Sequence, residues 1–462
     1  MSRLIVISNR VSAPTADQPT AQGGLAVALT AALREAEGIW FGWSGATGET
    51  GELKFETFAG VTSATIDLPE QDVEEYYDGY ANRTLWPLFH YRLGLTEFER
   101  DFQGGYERVN RLFAEVISPH VEPDDLVWVH DYHMIPLGWL LRQQGLRNRL
   151  GFFLHIPWPP TRLLTALPEH RRLVEALFAY DVVGFQTTEW LETFHDYVVR
   201  EMGGSIGPDD LITVGGRTIH AIACPIGIDA KEFIASATSD DATRTHDRMM
   251  DSVGGRRLIV GVDRLDYSKG IEERFNGYQR FLETRPDAHA NVSMLQVAPP
   301  SRATVQSYMD IRASLDALSG RINGAHAEID WVPLRYVNRG LPRSVLAGVY
   351  RAAKIGLVTP LRDGMNLVAK EFVAAQDPED PGVLILSRFA GAAAQLDQAL
   401  LINPYSPDEM ADAIERALTM PLDERIARWR PMFENVRDED VIWWRQRFTD
   451  RLAAVAPQEA LA

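Results

Sequence analysis

The chain has 462 residues, 45% of them hydrophobic and 24% charged, an ordinary globular composition for two or three domains. Lysine and arginine total 46 against 64 aspartate and glutamate, a net charge of −18; this argues against general binding to nucleic acid or an anionic membrane, but not against an anionic small molecule met by local arginines. The single cysteine, Cys224, excludes an internal disulfide and a thiolate zinc site, reads as a small core residue before Pro225, and fits a reducing compartment, by default the cytoplasm.

The opening MSRLIVISNR has too short an apolar run for a signal peptide, and no stretch approaches the roughly 20 apolar residues of a membrane helix. Residues 4–8 read as a strand that ends in Asn9 and Arg10. Gly23 and Gly24 precede a helix candidate over 25–36; such a pair lets a ligand approach the helix N-terminus, and it equally makes a plain tight turn. Residues 126–130, 151–155 and 182–185 read as buried strands, with helical patterns over 134–143 and 189–200. From about Lys231 to Arg256 the pattern lapses, and the polar stretch SATSDDATRT reads as a solvated segment between domains.

A second series of strands follows, at 258–262, 292–297, 329–332, 355–359, 383–387 and 400–403, with helices such as 272–283 and 366–376 between them. Ser406 caps a helix that Pro407 opens, and the last amphipathic run, 440–454, carries Trp443, Trp444 and Phe448. Strands alternating with helices imply an α/β protein of two doubly wound, Rossmann-like domains in series. The expected division is 1–235 and 236–439, with 440–462 packing back on the first domain. Such sheets bind ligands beyond the carboxyl ends of their strands, so a cleft between the domains is expected to hold the functional groups.

Several polar clusters stand at predicted strand ends. His130 to His133, HDYH, follows one strand; no third ligand accompanies the two histidines, and Asp131 reads better as a carboxylate accepting sugar hydroxyls. His155 ends another strand before a proline-rich turn, as a site group or a satisfied core histidine. Arg264 and Lys269 in GVDRLDYSKG suit a diphosphate, with surface pairing to Asp263 or Asp266 as the alternative. Arg302 follows the next strand, as a second phosphate site or a solvated arginine. In TPLRDGMNLVAKE a strand ends near Pro360, Asp363 and Gly364 turn the chain, and a helix begins near Asn366. That start aims the amides of Leu367 and Val368 at an anion, and Glu371 is placed to meet a ribose.

Taken together, SNR, GGLAV, LWPLFHYR, WVHDYH, GFFLHIPWP, DVVGFQT, PIGID, DRLDYSKG, RINGAHAEIDWVPL, TPLRDGMNLVAKEFVAAQ and LSRFAGAA run in order through nearly the whole chain. In them the chain resembles the trehalose-6-phosphate synthase family, retaining glycosyltransferases of the GT-B architecture. The departures are Gln22 before the glycine pair, Trp158-Pro159-Pro160 after HIP, and Leu341 where some members carry an aromatic.

The resemblance implies transfer of glucose from UDP-glucose to glucose 6-phosphate, giving α,α-trehalose 6-phosphate and UDP. It implies that Arg10, Trp40, Tyr77, Asp131 and Arg302 hold the acceptor. Gly23, Gly24, Arg264, Lys269, Leu341, Leu367, Val368, Ala369, Lys370 and Glu371 would hold the nucleotide sugar, and Trp86 and Ile156 would select the α anomer. His155, Asp131, Arg264, Lys269 and Asp363 would act at the reacting centre, with no carboxylate nucleophile, no metal and no cofactor beyond UDP-glucose as co-substrate. A homotetramer or dimer in the cytoplasm is expected. No phosphatase motif follows the synthase motifs, so a separate phosphatase would complete trehalose synthesis. Related readings are a synthase using glycerol 3-phosphate, a cyclitol-coupling relative, a non-catalytic sugar-phosphate sensor and a polymer-binding transferase. The intact donor-site residues and the Arg10/Arg302 pair favour the first assignment.

Overall fold

The computed structural model describes residues 3–11, 29–30, 33, 38–49, 52–286, 291–302, 304–456 and 458. The chain forms two units, the first made of Met1–Ile226 with Val441–Ala462 and the second of Gly227–Asp440.

Among the described residues of the first unit, ten strands make one sheet: β1 (Leu4–Arg10), β2 (Gly38–Thr47), β3 (Lys54–Phe58), β4 (Val61–Leu68), β5 (Leu126–His130), β6 (Arg149–Phe153), β7 (Val182–Phe185), β8 (Ser205–Ile206), β9 (Leu211–Val214) and β10 (Arg217–Ala223). Their order is β3-β4-β2-β1-β5-β6-β7-β10-β9-β8. The seven from β4 to β10 run parallel, and antiparallel strands finish both sides. β1 pairs with β2 on one side and β5 on the other, so the winding reverses there. The run LIVIS is buried throughout, as a strand covered on both faces requires.

The helix Val441–Ala454 belongs to this unit. Its Phe448 ring stacks on Trp128 of β5 with centroids 4.6 Å apart, and Trp444 lies 4.7 Å from the same indole. Gly151 of β6 and Gly184 of β7 lie beneath it; a Cβ would stand 2.6 Å from Phe448 at the first and 2.9 Å at the second. Two glycines inside buried strands, otherwise unfavourable, thus make the groove that the ring fills. Between β4 and β5 the helix Val73–Leu85 is wound more widely than an α-helix, the following Trp86 N–H donating to Ala81 O five residues back. This carries Tyr76 and Tyr77.

In the second unit β11 (Arg257–Val262), β12 (Val292–Val297), β13 (Leu334–Val337), β14 (Ile355–Val358), β15 (Val383–Ser387) and β16 (Leu400–Ile402) form a sheet, β13-β12-β11-β14-β15-β16. All five pairings are parallel, and the winding reverses between β11 and β14.

Two expectations are corrected. The strand expected at 329–332 is β13, at Leu334–Val337: Ile329 and Val332 are exposed, and Leu334 is the residue paired with Met294. The segment expected to be solvated is two helices, Ala230–Ala237 and Asp240–Val253. Ser239 caps the second through Ala242 N–H, and Ala242, Thr245 and Val253 are buried, so the polar residues are the wet face of a helix. Among the described residues no helix is long and apolar enough to cross a membrane.

Phe448→Ala leaves the groove over Gly151 and Gly184 empty. We expect a loss of about 3–5 kcal/mol, the usual cost of truncating a buried phenylalanine. It should appear as a lower urea midpoint, and an unchanged midpoint would contradict this account of the C-terminal helix.

Candidate active site

In the first unit the polar groups gather at the carboxyl ends of β1, β5 and β6. Arg10 ends β1 exposed, its Cζ 5.9 Å from the Trp43 ring centroid. Tyr77 stacks on His133 with centroids 6.1 Å apart and meets Trp43 edge-on at 5.5 Å. Trp40 lies elsewhere: it is 1% exposed, and its Nε1–H donates to Ser8 Oγ at 2.8 Å. The tryptophan beside Arg10 and Tyr77 is Trp43. Trp86 and Ile156 are both buried, the Trp86 ring tilted against His90 with centroids 4.0 Å apart.

Asp131 follows β5 with φ 74° and ψ 167°, a backbone state that few side-chain-bearing residues adopt. Its N–H donates to Phe153 O at 2.8 Å, and its Oδ1 accepts from the His155 N–H at 3.2 Å. His155 Nε2 stands 3.0 Å from His130 Nδ1, and His155 Nδ1 stands 3.2 Å from Gln186 Nε2. Burial holds His155 down to about 3 and His130 well below its ordinary value, so both rings are neutral at physiological pH.

In the second unit the loop after β11 carries Arg264, which is exposed, and Lys269. Lys269 Nζ donates to Asp363 Oδ2, a pair with both side chains only 12% exposed. Asn366 Nδ2 donates to the same carboxylate oxygen at 3.1 Å, and Asn366 Oδ1 caps the helix Leu367–Ala375 by accepting from Ala369 N–H at 3.3 Å. The cap uses the Ala369 amide, which leaves those of Leu367 and Val368 to open the helix. The Ala369 and Lys370 side chains are buried, while Leu341, Leu367, Val368 and Glu371 are half-buried.

Arg302 is held by Asp266, from the Arg264–Lys269 loop. Its Nη1 lies 3.4 Å from Asp266 Oδ2 and donates to Tyr308 Oη, and Tyr308 donates to that same oxygen at 3.1 Å. Charge outweighs burial here: the Arg302 and Arg264 guanidiniums, Lys269 and the Ser268 amide hold Asp266 down to about 2. Gly23 and Gly24, with most of 25–36, lie outside the described residues. Among the described residues no group of three or more histidine, cysteine or acidic side chains is arranged to hold a metal ion.

The family model described as glycosyltransferase family 20 matches residues 3–454. The chain belongs to that family. A trehalose-6-phosphate synthase of Sinorhizobium fredii is 49% identical over 459 residues, 98% of this chain and 99% of the relative. Among solved structures, an α,α-trehalose-phosphate synthase (UDP-forming) of Burkholderia xenovorans in complex with glucose 6-phosphate is also 49% identical. Its TM-score is 0.94, over 98% of this chain and 100% of that one. The E. coli protein bound with UDP-2-fluoro glucose gives a TM-score of 0.94 at 44% identity, over 99% of this chain and 100% of that one. This family-20 member is therefore a glycosyltransferase of the GT-B fold, with two parallel-sheet domains.

Sequence reasoning passed over Gln186 and Tyr308, and read Asn366 only as a helix start. Asp266 entered only as a surface partner, yet it is fully buried. Gln186 stands inside the quoted DVVGFQT, immediately after β7, and its position at a strand end was the available signal.

Glu371 carries a pH signature. Burial pushes its carboxyl up to about 7, against the opposing pull of Arg343 and the Tyr350 hydroxyl. The folded chain keeps a proton there that the unfolded chain releases above the ordinary value of 4.5, so stability falls as pH rises from there to about 7. Glu371→Gln should flatten that slope by up to roughly 3 kcal/mol. Urea midpoints at pH 5 and 8 that change equally in both proteins would count against a protonated Glu371.

Proposed function

We propose that this chain transfers glucose from UDP-glucose to glucose 6-phosphate with retention, giving α,α-trehalose 6-phosphate and UDP. The observation that carries the reading is the group at the switch point of the second sheet. Lys269 is aimed by Asp363, an asparagine-capped helix opens beside them, and an exposed Arg264 stands on the same loop. Two cations and helix amides suit a diphosphate, and a carboxylate suits a sugar hydroxyl. The relatives named above support the choice of substrates, one being a complex with glucose 6-phosphate and another with a UDP-glucose analogue.

In the reaction the bond from glucose C1 to the diphosphate oxygen breaks, and the anomeric hydroxyl of the acceptor bonds to C1 on the same face. Its proton passes to the departing diphosphate. Arg264 and Lys269 stabilise the charge that develops on that leaving group, which is where a fixed cation lowers the barrier most. Asp363 aligns Lys269 and meets the transferred glucose. Leu341 and the segment Leu367 to Glu371, with Gly23 and Gly24, hold the nucleotide, and the Glu371 carboxyl meets the ribose. Arg10, Tyr77, Asp131 and Arg302 hold the acceptor, and Trp86 and Ile156 wall its anomeric side; Trp40 backs Arg10 through Ser8, whose Oγ donates to Arg10 O. The chemistry needs no cofactor and no metal. A cytoplasmic homo-oligomer working upstream of a separate phosphatase completes the reading.

The test is a product assay with UDP-, GDP-, ADP- and TDP-glucose, each offered glucose 6-phosphate or glycerol 3-phosphate and read by mass. A disaccharide phosphate from UDP-glucose and glucose 6-phosphate is expected, and product from glycerol 3-phosphate alone would overturn the acceptor. Arg264→Ala and Lys269→Ala should each lower kcat on the order of 10²–10³-fold; wild-type turnover in a folded variant would refute that assignment. Full activity is expected in excess EDTA, and loss of activity that Mg²⁺ restores would refute the metal-free scheme.

A further inference from the structure

Three side chains at the ends of β5, β6 and β7 form a continuous hydrogen-bonded chain within the first unit. Gln186 Oε1 accepts from the Ile226 backbone N–H at 2.9 Å, Gln186 Nε2 stands 3.2 Å from His155 Nδ1, and His155 Nε2 stands 3.0 Å from His130 Nδ1. A backbone N–H can only donate, so the Ile226 amide settles which end of the Gln186 side chain is oxygen. The other end is then NH₂, which can only donate, and His155 Nδ1 must accept.

A neutral imidazole with an accepting Nδ1 carries its hydrogen on Nε2. His155 Nε2–H therefore donates to His130 Nδ1, and His130 carries its own hydrogen on Nε2. The opposite arrangement would leave His155 accepting at both nitrogens, which only an imidazolate can do. A protonated His155 would set its Nδ1–H against the Gln186 NH₂. Both exclusions rest on donor and acceptor roles alone. The chain ends on His130 Nε2, a buried nitrogen that meets no hydrogen-bond partner among the described residues. That orphan is the cost of holding the two rings in one sense.

We propose that Gln186 is a positioning residue for His155, locking it as the neutral Nε2–H tautomer. His155 then spends its one hydrogen on His130 and its one lone pair on Gln186, so the ring is held in a single sense and has no vacant base to compete for the hydroxyl protons of a bound sugar. The kinetic consequence rests on the transferase reading above, whereas the tautomer does not.

The experiment uses the full-length protein labelled with ¹⁵N-histidine. Two-bond ¹H–¹⁵N correlations report which ring nitrogen carries hydrogen, and His155 is assigned by the signals missing from His155→Gln. Wild type should show His155 protonated on Nε2 only, unchanged from pH 5 to 8. Gln186→Glu keeps an oxygen for the Ile226 N–H and replaces the donor facing Nδ1 by an acceptor. It should move hydrogen onto Nδ1, lower kcat on the order of tenfold, the worth of one hydrogen bond, with KM for glucose 6-phosphate little changed, and add a new ionisation to the pH profile. Gln186→Met should lower kcat similarly without that ionisation.

Hydrogen on His155 Nδ1 in wild type, or titration of His155 between pH 5 and 8, would overturn the proposal. So would wild-type kcat and pH profile in both variants. If the variants fail to fold, the wild-type spectrum still decides. If wild type makes no disaccharide phosphate, the functional reading falls while the tautomer is judged separately.

Discussion

A parallel sheet wound outward in both directions from one strand leaves two neighbouring chain ends that part company. No crossover helix covers the gap between them, and that constraint organises each unit of this protein. In the first unit the gap lies between β1 and β5, in the second between β11 and β14. The buried strands are nearly all apolar, so polar residues first become affordable where the strands stop. Arg10, Asp131 and His155 stand at such stops, as do Arg264, Lys269 and Asp363.

Charges buried behind these stops hold the loops in register. Arg274 is wholly buried and bonds to Asp263 just after β11 at 2.7 Å, to Gln296 in β12 at 2.8 Å and to Thr359 just after β14 at 3.0 Å. Thr359 Oγ1 donates onward to Gly270 O at 3.0 Å, beside Lys269. At Gly270 itself φ is +61° and a Cβ would meet Thr359 O at 2.1 Å, so no other residue fits. Desolvation makes buried ion pairs weak sources of net stability. Their directional demands are what matter here: one guanidinium binds three strand ends and thereby sets where the Lys269 loop begins.

The sequence made the architecture legible wherever periodicity and burial coincide. β1, β5, β7, β11, β12, β14 and β15 are apolar runs bounded by polar or turn residues, and they read as strands. β2 to β4 did not, because WFGWSG mixes aromatic and small residues and β3 is largely exposed. The helix Asp240–Val253 was hidden because its buried face is Ala242, Thr245 and Val253, too small and sparse to raise a hydrophobic pattern. At the candidate site the charged residues were legible by position, since strand ends are predictable. Their partners were not. That Asp266 faces Arg302, that Gln186 faces His155, and that Trp43 instead of Trp40 meets Tyr77 depend on side-chain direction across elements far apart in the chain.

Backbone strain singles out the same places. Of the seven non-glycine residues with positive φ among those described, three are Asp131, Arg302 and Asn366. Such conformations cost on the order of 1–3 kcal/mol each and persist only where surrounding bonds over-determine them. Asp131 is held by Phe153 O and the His155 amide, Arg302 by Asp266 and Tyr308, and Asn366 by its own cap and by Asp363. Each reversal turns the chain sharply just after a strand or just before a helix, where a relaxed backbone would carry its side chain along the sheet instead of beyond it. A site assembled at strand ends needs that change of direction, and the hydrogen bonds that enforce it come partly from other candidate groups, His155 and Asp363, and partly from residues that sequence patterns leave unmarked, such as Tyr308. The strain and its restraints thus form one device: the unfavourable backbone aims the functional group, and the neighbours that tolerate no other arrangement keep it aimed.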